Sequence, residues 1–400
     1  MKKGKKLVVV AAVLAVALLG GWGLVSRSLS APAQTAENQP LWSYQTGDYV
    51  RPVTISSDGS YIVARSGYTV YLFSRTSSTP LWSYTAGSNV LSVAISSDGS
   101  YIAAGGEKGI YLFSRTSSTP LWSYQTGDWV PSVAISSDGS YLSACSSDEV
   151  HLFSRTDNTP LWSYETRSRV VTNSVAISSD GSYIAARDVI GNVYLFSRTS
   201  STPLWSYRTD GWYGSVAISS DGSYIAGDVD NKVYLFSRAD NTSLWSYQTG
   251  DYVSSVAISS DGSYIAVGSY DNEVYLFSKA DNTPLWSYQT GDWVYSVAIS
   301  SNGSYIATWS DKVYLFSRTS STPLWSYAVG GSVAISSDGS YIAAGGEKGI
   351  YLFENKSARG SAIPYALAIA VAVISGAALA LLVRKRRAGR KSGAGSKMDR

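Results

Sequence analysis

The chain has 400 residues, 44% of them hydrophobic and 13% aromatic, with one cysteine and one histidine. That composition supports a sizeable core and excludes a disulfide framework or a His/Cys metal cluster built within the chain. The formal net charge of +3 is unevenly spread: residues 41–353 hold 17 Lys+Arg against 26 Asp+Glu, a balance of −9, so the excess of cations lies in the tails. An acidic central region argues against nucleic acid as a partner, because such binders need a basic face.

Residues 1–33 come first. Lys2, Lys3, Lys5 and Lys6 precede an apolar run over residues 7–25, and Ala31-Pro32-Ala33 lies in the polar stretch behind it. A basic start, an apolar centre and a small-x-small site read as a secretory signal peptide. The run of 19 residues is also long enough for an uncleaved anchor. Both alternatives put the central region, which begins after a linker over residues 34–40, outside the cytoplasm.

Residues 41–353 are one unit repeated. Leu-Trp-Ser-Tyr begins at Leu41, Leu81, Leu121, Leu161, Leu204, Leu244, Leu285 and Leu324. A period near 40 residues fixes the architecture before any other signal is weighed. In residues 92–104, two runs rich in Val, Ile and Tyr flank Asp98-Gly99, which predicts a β-hairpin with a type I′ turn. A third strand comes next over 110–114, then a Ser/Thr/Pro loop, then a fourth over 121–124. Four short strands without a helical period make one antiparallel sheet per repeat. A lone sheet cannot bury both faces, so the sheets must stack, and a closed ring leaves no exposed edge. The prediction is an all-β, eight-bladed β-propeller of four-stranded antiparallel blades. With strands named a to d, the chain starts on a lone d strand (41–44) and ends on an a-b-c set. The first strand is therefore expected to complete the last blade and close the circle. The eight Trp of the d strands read as packing between blades.

The hairpin VAISSDGSYIAAG resembles the a–b hairpin of WD40 repeats, and VYLFSRADNTSLWSY (233–247) resembles the Trp-docking strand pair of PQQ-type propellers. The resemblance to this WD40 and PQQ-like superfamily covers residues 41–353 and implies the propeller fold. The chain lacks the Gly-His and Trp-Asp dipeptides of WD40 repeats and the Thr-Gly-Lys of PQQ repeats, so no active site is carried over.

After a spacer at 354–362, residues 363–383 are apolar apart from Ser375 and small residues, and Arg384-Lys385-Arg386-Arg387 comes directly behind them. This reads as a C-terminal transmembrane helix with a basic cytoplasmic tail over 384–400. The membrane is thus one expected partner.

Antiparallel order puts the a–b and c–d loops on one face of the ring and the b–c and d–a loops on the other. The first pair is nearly invariant from blade to blade. The second pair varies and carries the candidate contact residues Tyr49, Arg51, Trp129, Arg167, Arg169, Trp212, Tyr213, Tyr252, Tyr270, Trp293 and Trp309. Rim Trp and Tyr supply contact area at little entropic cost; the competing reading is that they only cap gaps between blades. Both tethers leave from the uniform face, which is expected to lie toward the bilayer.

Catalytic chemistry is sparse. His151 stands where other repeats have Tyr, and Cys145 lies late in a b strand. The acidic pairs Asp228/Asp230 and Asp271/Glu273 lack the ordered spacing of a calcium loop. Sequons occur at Asn241, Asn302 and Asn355, as suits an exterior location. The expected function is a membrane-tethered extracytoplasmic module that binds a protein, peptide or glycan, with no cofactor, metal or catalytic residue assigned. The alternatives are a structural cell-envelope component and, from the eight-bladed rings of PQQ dehydrogenases, a quinoprotein-like enzyme.

Overall fold

Thirty-two strands form eight four-stranded antiparallel sheets in the computed structural model. It describes residues 38–359, apart from residues 147, 167–169, 189, 210, 212, 213 and 348. The predicted N-terminal segment (1–33) and the apolar span (363–383) lie outside the described residues, among which no helix is long and apolar enough to cross a membrane.

Seven sheets take their strands in chain order. The eighth joins Ser332–Ile335, Tyr341–Gly345 and Gly349–Glu354 to Trp42–Gln45, in the register Trp42↔Leu352 to Gln45↔Gly349. The first strand therefore closes the circle as expected. We number the blades 1 (residues 50–85) to 8 (residues 332–354 with 42–45).

The core is not one body but a set of clusters between neighbouring blades. In one, Ile110 and Leu112 of blade 2 meet Val133, Leu142 and Phe153 of blade 3. The b strands are buried on both faces, whereas the d strands alternate between half-buried and exposed positions. The inner edges of the eight a strands surround a channel of about 500 Å³.

Three devices tie each blade to the next, all from the invariant part of the repeat. First, Ser57 N–H donates to Ser97 O of the next blade, and the pattern passes through Ser137, Ser179, Ser220, Ser260, Ser301 and Ser337 back to Ser57 O, at 2.8–2.9 Å throughout. Eight backbone hydrogen bonds thus form a closed circle on the a–b face. Second, each d-strand Trp lies on the Phe of the next c strand, as Trp122 on Phe153 with ring centroids 5.5 Å apart. Its indole N–H reaches the next c–d loop, as Trp122 Nε1 to Arg155 O at 2.8 Å. Seven of these Trp stay only half-buried, because the d strand is outermost, so each contributes less than full burial would. Third, each b-strand Tyr lies against the turn glycine and under the cation of the next blade. Tyr61 meets Gly99, and the Arg115 guanidinium stands 4.6 Å above its ring. Arg75, Arg155, Arg198, Arg238, Lys279 and Arg318 repeat this contact.

The hairpin turn differs from the expected type I′. Gly99 N–H closes on Ser96 O at 2.9 Å, and in the turn only Gly99 has positive φ, +72°. Asp98 sits instead as an acceptor, taking Ser96 Oγ and Ser100 N–H on Oδ1 and Ser100 Oγ on Oδ2. Burial works to raise its carboxyl, but these bonds outweigh it and hold the pKa below the usual range. A side chain that ties the serines on both sides of it displaces the two-residue turn that Asp-Gly alone suggests.

The junction of blades 7 and 8 departs from the pattern. Asn355 occupies the place of the stacking cation, is fully buried, and donates Nδ2 to Gly339 O at 3.0 Å. Among the described residues Trp325 Nε1 has no partner. The sequon at Asn355 is therefore inaccessible in this fold, whereas Asn241 and Asn302 are exposed.

Candidate binding face

Four d–a loops share Thr-Gly-Asp and then an aromatic residue, and each is held by its own bonds. The Thr46, Thr126, Thr249 and Thr290 hydroxyls donate to the carbonyls of Asp48, Asp128, Asp251 and Asp292. Each Asp accepts, through Oδ1, the N–H of the adjacent ring residue, at 2.7–2.8 Å. The loop is built without help from the ring, which is left to project. Tyr49, Tyr252, Trp293 and Trp129 are 36%, 48%, 47% and 59% exposed, which does not suit residues that merely cap a gap.

Around blades 6 and 7 the rings touch one another. Tyr270, from a b–c loop, stacks on Trp293 at 4.8 Å and meets Tyr295 at 5.7 Å. Tyr295 in turn stacks on Trp309 at 4.6 Å. Arg51 reaches across blade 8, whose loop is Gly330-Gly331 at this point, and lies 5.7 Å from the Trp309 ring and 6.0 Å from that of Tyr295. Trp309 is itself only 8% exposed, so of the predicted residues it packs beneath this group rather than projecting. Tyr295 is not among the residues expected from the sequence. Its signal is an aromatic residue at the entry to an a strand, where other repeats have Arg51, Leu91, Pro131 and Ser254. Arg167, Arg169, Trp212 and Tyr213 lie outside the described residues.

Beneath the loops, one b-strand position exchanges size with the next blade. Gly268 leaves room for the Val294 side chain: a Cβ there would stand 2.6 Å from Val294 Cγ1. The same position holds Arg187 in blade 4 and Trp309 in blade 7, and there the facing loops supply Gly214 and Gly330 instead. A close-packed interior allows only one of two facing residues to be large.

Titratable groups are engaged inside the ring. Asp228 is fully buried and accepts Ser215 N–H and Oγ at 2.8 and 2.7 Å; burial pushes its carboxyl up to about 7, against the Ser215 bonds and the Arg187 charge. Arg187 is also fully buried and donates Nη1 to Asp188 O at 3.1 Å. Asp271 accepts Gly250 N–H, Glu273 N–H and Tyr275 Oη. Asp228 and Asp271 of the two acidic pairs are thus engaged by backbone, hydroxyl and phenol donors, and no cluster of three metal-ligating side chains occurs among the described residues. His151 is buried, with Nδ1 2.8 Å from Ser163 Oγ; Nε2 lies 3.4 Å from Glu149 but out of line for a hydrogen bond. Burial lowers its pKa to about 4. Cys145 is buried, and its thiol donates to Ser132 O at 3.6 Å.

Two family models match the chain. One, described as outer membrane protein assembly factor BamB, matches residues 146–260 and 252–364, together more than half of the chain. The other, described as WD domain, G-beta repeat, matches residues 78–114. No curated protein matches. With eight closed four-stranded blades and these matches, the chain belongs to the WD40/PQQ-like β-propeller repeat family.

Proposed function

We propose that this propeller is a binding and scaffold module, held outside the cytoplasm by its C-terminal apolar segment, that engages a protein, peptide or glycan through its b–c/d–a face. One observation carries the reading: four separately braced Thr-Gly-Asp loops hold aromatic rings half in solvent on one face, while the opposite face repeats almost unchanged. The matched family model is described by an assembly factor, which agrees with a role in holding partners rather than in turnover.

The test uses the full chain in detergent micelles, comparing ligand capture by the wild type, by Trp129→Ala/Tyr252→Ala/Trp293→Ala, and by Leu161→Ala on the uniform side. A partner lost only in the triple variant supports the proposal. A partner retained by it overturns the choice of face. Orientation is tested in intact cells with Trp293→Cys and Thr116→Cys, both exposed positions. Faster labelling of Trp293→Cys by an impermeant maleimide is expected; faster labelling of Thr116→Cys would reverse the orientation.

A further inference from the structure

Each braced loop pairs a projecting ring with the carboxylate before it. Two such pairs, Asp251–Tyr252 and Asp292–Trp293, stand on consecutive loops and are joined by Tyr270. The Tyr270 N–H donates to Tyr252 O at 2.8 Å, and its ring stacks on Trp293. Beside them the chain has already placed one cation against this aromatic group: the Arg51 guanidinium, over Trp309 and Tyr295. Aromatic faces carry negative charge density and attract cations, and a nearby carboxylate adds to that attraction. Among the described residues of these loops, the exposed carboxylates Asp251, Asp292, Asp311 and Glu347 outnumber the exposed cations Arg51 and Lys312. The balance of −9 over residues 41–353 has the same sign. An anionic ligand is repelled by this field, and a neutral sugar gains nothing from it.

We infer that the Tyr252–Tyr270–Trp293 sector takes a basic peptide segment, with Lys or Arg side chains over Tyr252 and Trp293 and their charges beside Asp251 and Asp292. This rests on the variable face being the binding face and commits it to a cationic partner. Trp293 offers one ring face, since Tyr270 covers the other. Asp292 keeps its loop bond through Oδ1, so its charge is separable from its structural role: Asn at this position retains the acceptor.

The experiment is calorimetric titration of the full chain in uncharged detergent with three probes: the peptide Gly-Arg-Gly-Lys-Gly-Arg-Gly, its counterpart with Glu at the charged positions, and a hexasaccharide of N-acetylglucosamine. The basic peptide is expected to bind and the acidic one not. Affinity should fall about three- to tenfold in Trp293→Ala and in Asp292→Asn, recover in Trp293→Phe, and weaken with added salt. Absence of binding overturns the inference. So does binding that Trp293→Ala leaves unchanged, since that is unspecific attraction to the net charge. Binding of the hexasaccharide alone, dependent on Trp293, removes the cationic partner but leaves the binding face standing.

Discussion

The two faces of the ring are made from the same strands yet are held by different groups. On the a–b/c–d face, bonds run from each blade to the next: the serine circle, the indole bonds such as Trp122 to Arg155, and the stacked pairs such as Arg115 on Tyr61. On the b–c/d–a face the blades are also tied, as Val130 N–H to Gly106 O and Val294 N–H to Ser269 O, but through backbone groups, while the side-chain bonds that hold each projecting ring, as Thr290 to Asp292 and Asp292 to Trp293, lie within its own loop. A residue that ties two blades cannot change without loosening the circle. A residue that only caps its own turn leaves the ring beside it free to change. Ties made through backbone groups, as on the b–c/d–a face, leave the projecting side chains free to vary.

The largest expected effect separates two tryptophans seven residues apart. Trp122→Ala removes the contact with Phe153 and the bond to Arg155, and should cost about 2–4 kcal/mol, less than a fully buried Trp. Trp129→Ala, on an independently braced loop, should stay within about 0.5 kcal/mol. Denaturant midpoints of the full chain measure both; equal losses would break the contrast between faces.

Next come two departures from the repeat that titrate in opposite directions. The folded His151 has a pKa near 4 against 6.5 unfolded. Between those values the unfolded chain binds a proton that the folded chain refuses, so stability rises with pH, by up to about 3 kcal/mol. Asp228, raised from 3.8 to about 7, holds a proton that the unfolded chain releases, so its contribution falls as pH rises through that window. In the wild type the slopes oppose each other. Unfolding at pH 4.5 and 6.5 should show stability rising with pH in Asp228→Asn and falling in His151→Tyr, the residue of the other seven repeats. Slopes of the same sign in both variants would refute the pairing.

The smallest effect tests the exchange of size beneath the loops. Gly268→Ala sets a Cβ 2.6 Å from Val294 Cγ1 and should cost about 1–3 kcal/mol. Val294→Ala in the same chain should restore part of that loss. Strictly additive losses would mean that the two positions do not share one space.

Much of the fold is legible because the repeat states it eight times. The Leu-Trp-Ser-Tyr spacing fixes the blade count, and the unpaired d strand at 41–44 foretells the closing partner at Gly349–Glu354. Of the face, Tyr49, Trp129, Tyr252 and Trp293 are legible as rim aromatics. Trp309 is legible in type but not in depth, and Tyr295 shows only as an odd aromatic at the entry to an a strand, because position within a strand says little about a neighbour one blade away. The Asp98 turn is misjudged when Asp-Gly is weighed without the serines on either side of it.

By itself, then, the sequence determined what recurs: strand alternation, the order of strands in a blade, the number of blades, and which loops share a face. These arise from local periodicity and from the need to bury two-sided sheets. Only the tertiary structure decided what passes between blades: the circle of serine carbonyls, the place of Arg51 over Trp309 and Tyr295, the buried Asn355, and which side of each b-strand position is large. Those contacts join residues from 16 positions apart, for Asn355 and Gly339, through 26 for Gly268 and Val294 and 40 for Ser57 and Ser97, to 258 for Arg51 and Trp309. Closing the ring brings them together, and no local pattern encodes such a distance.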